Sequence, residues 1–364
     1  MVNILNDLKK LLCPPGEGVY TVHTGKERRL LLQEKLYQTT NDKKIRNSWE
    51  KSLKDLPSKS LAVIGIPSDN GGGIQRGANW GPLAVRLALM EENPPKYLDV
   101  GDIRVIPHLL HDKYLKNNII NECRIALYGD KKTKLPVSPL SIAEKSVELL
   151  NKAMPDIKLF AIGGDHSVSY PLVKAYLAAR KKRKNKIGLL HFDAHTDLMQ
   201  KRLGIDLCFG SWTFHILKEL KSPAHAVQVG IRSSGMPKSH WEKTTGVKQW
   251  WTKEIQKQGI ESVTEKIIKH YKKLGVEELY ISFDIDALDQ KFAAATGTPE
   301  PDGLKPFECV SMIRQMSQHF KITGADLVEV APHVLPPGLK IQDQQQTVNT
   351  AAVIARVLLE AMDA

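Results

Sequence analysis

The stretch KIGLLHFDAHTD, residues 186–197, decides the fold. Its first half is a short, continuous apolar run. Continuous rather than alternating apolarity describes a strand buried on both faces, as in a parallel sheet covered by helices. Its second half places two carboxylates and an imidazole directly behind that strand. The arrangement recurs outward from it: KLFAI (158–162) precedes GGDHS (163–167), and LYISF (279–283) precedes DID (284–286). ADLVEV (325–330) carries the acidic Glu329 and precedes APH (331–333). LAVIGI (61–66) and HAVQVGI (225–231) are further apolar runs, and helical patterns such as SIAEKSVELLNKA (141–153) and ESVTEKIIKHYKKLG (261–275) lie between. This β–α–β rhythm predicts an α/β chain with a parallel sheet between helical layers.

The chain has 364 residues, 42% of them hydrophobic and 25% charged, which excludes a disordered chain, a collagen-like repeat and a disulfide scaffold. No apolar run approaches the length of a transmembrane helix. Four scattered cysteines without a CxxC pair fit neither a zinc nor a disulfide framework and suit a reducing compartment. The N-terminal MVNILNDLKKLLCPPGEG lacks the features of a signal peptide, so a cytoplasmic location is expected. Residues 1–58 are polar and Lys-rich and are read as an N-terminal extension, with 59–364 as one domain. The net charge of +12 raises the possibility of an acidic partner. Its sharpest cluster, Arg180 to Lys184 with Lys186, follows the helical VSYPLVKAYLAAR and reads as a solvated helix end complementing the dipole. Few aromatics interleave with it, which argues against nucleic acid and leaves a non-catalytic basic nucleic-acid-binding protein as the alternative from another class.

Ligands of open parallel sheets bind beyond the carboxyl ends of the strands, where these motifs fall. Buried carboxylates are costly unless paired or bound to metal. In extended chain Asp193, His195 and Asp197 would project to one side, as would Asp284 and Asp286, and His166 adds an imidazole. Four carboxylates and two imidazoles suit a borderline-hard ion such as Mn²⁺. Six donors suit two ions about 3.5 Å apart, whose joint charge makes hydroxide available near neutral pH. Taken singly, the motifs have blander readings, such as a tight turn with a helix cap at GGDHS.

GGDHS, FDAHTD and SFDIDALD, in this order, resemble the ureohydrolase superfamily of arginase, agmatinase and relatives. VIGIPSDNGGGIQRGANWGPLAVR (63–86), LDVGDI (98–103), VGIRS (229–233), TGTPEPDGL (296–304) and LVEVAP (327–332) also match, so the resemblance covers about residues 60–361. It implies a three-layer α/β/α fold with a mainly parallel, about eight-stranded sheet, as in arginases and deacetylases. It also implies two Mn²⁺ per chain. One ion would take His166, Asp193, Asp197 and Asp284, and the other His195, Asp193, Asp284 and Asp286. The implied reaction is hydrolysis of a linear amidine or guanidino C–N bond by a metal-bridging hydroxide that Asp197 orients. Glu329 matches the carboxylate that binds the guanidinium nitrogens. By the same resemblance the chain would form a trimer or hexamer.

Two departures bear on the substrate, a small guanidino or formimino compound. The family's His-Gly-Ser/Thr stretch, whose His assists protonation of the leaving amine, reads Cys208-Phe209-Gly210-Ser211 here, and Phe209 carries no proton. His215 and His240 are the nearby replacements in sequence. Formimidoylglutamases also lack that His, so release of formamide and glutamate is the alternative reaction. The loop LMQKRLGIDL (198–207) lacks the Asn, Thr and Ser groups with which arginase grips its amino acid. Lys201 and Arg202 are candidates for a substrate carboxylate, or else solvated loop charges. The deacetylase branch of the fold, with one Zn²⁺, lacks the full six-ligand set.

Overall fold

The computed structural model describes residues 2–18, 26–58, 60–73, 75–181, 186–334 and 340–364. Within these residues the strands are β1 (Leu12–Cys13), β2 (Leu61–Gly65), β3 (Leu98–Ile103), β4 (Lys158–Ile162), β5 (Ile187–Phe192), β6 (Ala226–Ile231), β7 (Lys248–Trp251), β8 (Glu278–Asp284) and β9 (Lys321–Val328). They form one nine-stranded sheet in the order β1-β3-β2-β4-β9-β8-β5-β6-β7. The β1–β3 pair is antiparallel and the other pairs are parallel. The sheet order reverses direction around its middle strands, β4, β9, β8 and β5, whose carboxyl ends therefore open on a common crevice.

The apolar runs are continuous because alternate residues feed different layers. On β2, Leu61 and Val63 join the core under helices 81–89, 260–273, 306–319 and 341–363, while Ala62 and Ile64 join the core under helices 139–153 and 169–179. The result is a three-layer α/β/α architecture. Helix Ile260–Lys273 forms because Val263, Ile267 and Tyr271 recur every four residues and are fully buried. Glu261 in its first turn and Lys272 and Lys273 in its last complement the dipole.

The structure differs from the sequence expectation in three ways. The ninth strand, β1, comes from the N-terminal segment and pairs Leu12 with Ile103 and Cys13 with Asp102. From the same segment Trp49 is fully buried and its indole N–H donates to the Val100 carbonyl at 3.0 Å. The fully buried Arg86 guanidinium holds Asp99 in a fork at 2.8 and 3.0 Å and Asp102 at 2.5 Å. The amides of Gly16 and Gly18 donate to the other Asp102 oxygen at 2.8 and 3.2 Å. Second, β9 stops at Val328, because Glu329 takes a left-handed φ of +63°. Third, Arg180 is not a solvated helix end. It is buried, stacks on Tyr176 at 4.2 Å and donates to Asn151 and the Ile157 carbonyl at 3.1 and 3.0 Å. Of the remaining cluster, Lys181 is exposed, Lys186 pairs with Glu277 at 2.7 Å, and Lys182, Arg183 and Lys184 lie outside the described residues.

Candidate metal centre

The crevice is built from four strand ends. After β4, the Gly163–Gly164 turn brings the backbone against Ser68, where a Cβ on Gly164 would lie 1.8 Å from the Ser68 oxygen, so only glycine fits. Asp165 then accepts from the Ser167 amide at 2.9 Å and His166 opens the next helical turn. After β5, Asp193 accepts from the His195 amide at 2.6 Å; after β8, Asp284 accepts from the Asp286 amide at 2.8 Å. The side chains are thus gathered by tight turns in which an aspartate binds the amide two residues on, not by extended chain. Asp197 itself sits at φ +51°.

These turns bring all six side chains together. His166 Nδ1 lies 3.1 Å from Asp193, 3.3 Å from Asp197 and 3.0 Å from Asp284. His195 Nδ1 lies 3.0 Å from Asp286 and 3.4 Å from Asp193. Asp193, Asp197, Asp284 and Asp286 are buried, and His195 is a quarter exposed.

The outer contacts orient the imidazoles. Ser282 donates its hydroxyl hydrogen to Asp326 at 2.7 Å, so it accepts from His166 Nε2 at 3.0 Å. That leaves the His166 Nδ1 lone pair facing three carboxylates, buried and without a hydrogen-bond partner. His195 Nε2 faces Glu300 at 3.4 Å and likewise turns Nδ1 inward. Trp212 donates its indole N–H to Asp197 at 2.8 Å, and Thr298 its hydroxyl to Asp286 at 3.1 Å.

The electrostatics demand a cation. Burial and the charge of Asp193 push the Asp197 carboxyl well above the usual range, and burial with the charges of Asp286 and Asp193 does the same to Asp284. Asp193 is held well below it, because the neighbouring His166, His191 and His195 imidazoles outweigh burial. Burial works against the His166 imidazolium, yet Asp193, Asp197 and Asp326 push its pKa up to about 9. A centre of lone pairs aimed at carboxylates therefore binds either protons or metal, and the nitrogen-plus-oxygen donor set fits divalent ions.

The remaining expected site residues are more dispersed. Glu329 lies immediately behind β9, buried, accepting the His166 amide at 2.8 Å through Oε1. Its Oε2 lies beside Gly297, where a Cβ would approach within 3.3 Å. Lys201 is exposed. Arg202 is half-buried, with its guanidinium 5.1 Å above the Phe209 ring. Phe209 is anchored by its amide on the Gly71 carbonyl at 2.8 Å, with its ring beside Gly73 and near Thr298. His215 faces the Gln200 carbonyl at 2.9 Å and His240 packs on Trp241; among the described residues neither touches the six side chains.

Sequence reasoning missed His191, fully buried with Nε2 at 2.8 Å from Asp193. Inside an apolar run it reads as strand body. His166, His191, Asp193 and Asp197 form one group able to hold an ion, and Asp193, His195 and Asp286 form a second.

A model of the arginase family matches residues 59–362. The chain belongs to the arginase family. The agmatinase of Chromobacterium violaceum is 31% identical over 286 residues, 77% of this chain and 78% of that protein. The mitochondrial guanidino acid hydrolase of Homo sapiens is 30% identical over 83% of this chain and 77% of that one. Among solved structures, the proclavaminate amidino hydrolase of Streptomyces clavuligerus aligns with a TM-score of 0.62 at 27% identity, covering 84% of this chain and 91% of that one. This arginase-family chain is accordingly a hydrolase of non-peptide C–N bonds in amidine or guanidino compounds, and its His/Asp cluster is the candidate metal site.

Proposed function

We propose that the chain hydrolyses the C–N bond of a linear guanidino acid at two Mn²⁺ ions. His166, Asp193, Asp197 and Asp284 would hold one ion, and His195, Asp193, Asp284 and Asp286 the other. The observation that carries this reading is the pair of inward-facing Nδ1 atoms on His166 and His195, set among four carboxylates. Bound ions would supply Lewis acidity and a water acidic enough to act as nucleophile near neutral pH.

The residues divide the remaining work. Glu329 binds the guanidinium, a charge-assisted contact that is strong and geometrically selective. Asp197, steadied by the Trp212 indole, takes up the proton that the attacking water sheds. Phe209 holds no proton, so the leaving nitrogen receives its proton from Asp197 or from solvent. Arg202, held over Phe209 and without an ion-pair partner among the described residues, meets the substrate carboxylate, with Lys201 outside it. The relatives named guanidino acid hydrolase and guanidinobutyrase support an acidic tail. The second reading, formimidoylglutamase, shares that tail and is favoured by Phe209 at the position of the family His.

A Mn²⁺-loaded assay over guanidinobutyrate, guanidinopropionate, arginine, agmatine, guanidine and formimidoylglutamate, scoring urea against formamide, separates these readings. Urea from the guanidino acids supports the first; formamide supports the second. Preference for agmatine removes the carboxylate role of Arg202. We further propose a cytoplasmic trimer or hexamer acting on small molecules rather than nucleic acid or membranes. All four cysteines are free, and no helix of the described residues is long and apolar enough to cross a membrane.

A further inference from the structure

His191 poses a choice that the six-residue centre leaves open: it lies within reach of an ion beside Asp193, yet it also touches a buried chain of polar side chains. The chain begins at Trp251, whose indole N–H can only donate. It donates to Gln249 Oε1 at 2.9 Å, which turns Gln249 Nε2 toward Gln228 Oε1 at 2.8 Å. Gln228 Nε2 then faces His191 Nδ1 at 3.0 Å. A second contact fixes the same orientation: Gln228 Nε2 lies 2.6 Å from the Thr196 carbonyl, where an amide oxygen would be repelled. Thr213 Oγ1 adds a donor 3.3 Å from His191 Nδ1. With Nδ1 accepting, the neutral ring carries its proton on Nε2, 2.8 Å from Asp193 Oδ2. Gln249, Gln228, His191 and Asp193 are all buried, so water does not complete these bonds instead.

We propose that His191 is not a metal ligand but the last donor of a one-way relay from Trp251, and that Gln228 is the positioning residue that sets its tautomer. A nitrogen that carries hydrogen offers no lone pair to an ion. The relay instead pins one oxygen of Asp193, the carboxylate that both groups of candidate ligands share. This inference rests on the proposed centre for its consequence, though not for the tautomer itself.

The test uses the full chain with ¹⁵N-labelled histidine. Long-range ¹H–¹⁵N spectra should show His191 as the Nε2–H tautomer in metal-free protein and unchanged after Mn²⁺ is replaced by a diamagnetic divalent ion such as Zn²⁺ or Mg²⁺. Gln228→Glu puts an acceptor opposite Nδ1; it should move the proton to Nδ1 and weaken divalent-ion binding by roughly 10- to 100-fold, the usual range for outer-shell partners. His191→Gln keeps a donor near Asp193 and should retain more affinity than His191→Leu. Loss of the Nε2 proton on metal addition would overturn the proposal, as would unchanged affinity in a folded Gln228→Glu variant. Should that variant fail to fold, equal affinity losses in His191→Gln and His191→Leu would do the same. If the wild-type chain shows Nε2–H but binds no divalent ion, the tautomer assignment stands and the metal centre falls.

Discussion

Removing metal and raising the pH should cost this protein stability, and His166 sets the scale of the loss. In the metal-free chain its Nδ1 faces three carboxylates, and although burial opposes the charge, Asp193, Asp197 and Asp326 push its pKa from 6.5 up to about 9. A folded-state pKa above the unfolded one means that the folded chain holds more protons. The stability contributed is complete below about 6.5 and is lost as the pH rises toward 9. At about 1.4 kcal/mol per tenfold change, the effect is roughly 3 kcal/mol. With an unfolding entropy of about 2.1 cal/mol/K per residue over 364 residues, Tm falls by on the order of 4 °C. His195, Asp197 and Asp284 are also raised and act in the same direction. Differential scanning fluorimetry with chelator from pH 6.5 to 9 should show the fall in the wild-type chain. His166→Gln should fall by about 4 °C less. Metal loading should remove the fall, since the ion replaces the proton. A flat or rising profile in metal-free wild type, or equal slopes in wild type and His166→Gln, would refute the reasoning.

Three further outcomes are expected. Asp193→Asn should lose both ions and all turnover; stoichiometric Mn²⁺ by elemental analysis together with normal kcat would show that Asp193 does not bridge. Phe209→His should raise turnover of guanidino substrates where protonation of the leaving amine limits the rate; no gain across the substrate panel would place that proton transfer elsewhere. Arg86→Met leaves Asp99 and Asp102 buried without their cation and should cost about 3–5 kcal/mol in urea unfolding of the metal-loaded chain. A loss under about 1 kcal/mol would mean the ion pair contributes little beyond its desolvation cost.

The sequence made the central strands legible because β2, β4, β5, β6 and β8 are buried on both faces and read as unbroken apolar runs. β3 escaped this pattern because its Asp99 and Asp102 are buried only by virtue of Arg86, which is distant in sequence. β7 escaped it because Gln249 is buried as part of a polar chain. In the N-terminal segment, Ile45 and Trp49 alone form the buried face of helix Asp42–Ser52, too sparse a signal to read as core. At the site, the acidic and imidazole groups behind the strands were visible, and so was their number. The turns that gather them were not, because an aspartate binding the amide two residues on looks in sequence like any aspartate. His191 and Asp326 were hidden by lying inside strands. The half-buried setting of Arg202 and its place over Phe209 depend on a loop whose path the sequence does not dictate.

The most direct measurement is anomalous scattering from crystals of the Mn²⁺-loaded chain at the manganese edge. Two peaks should appear, one among His166, Asp193, Asp197 and Asp284 and the other among His195, Asp193, Asp284 and Asp286. A single peak, or peaks away from these side chains, would contradict the paired-ion centre from which the rest of the chemistry follows.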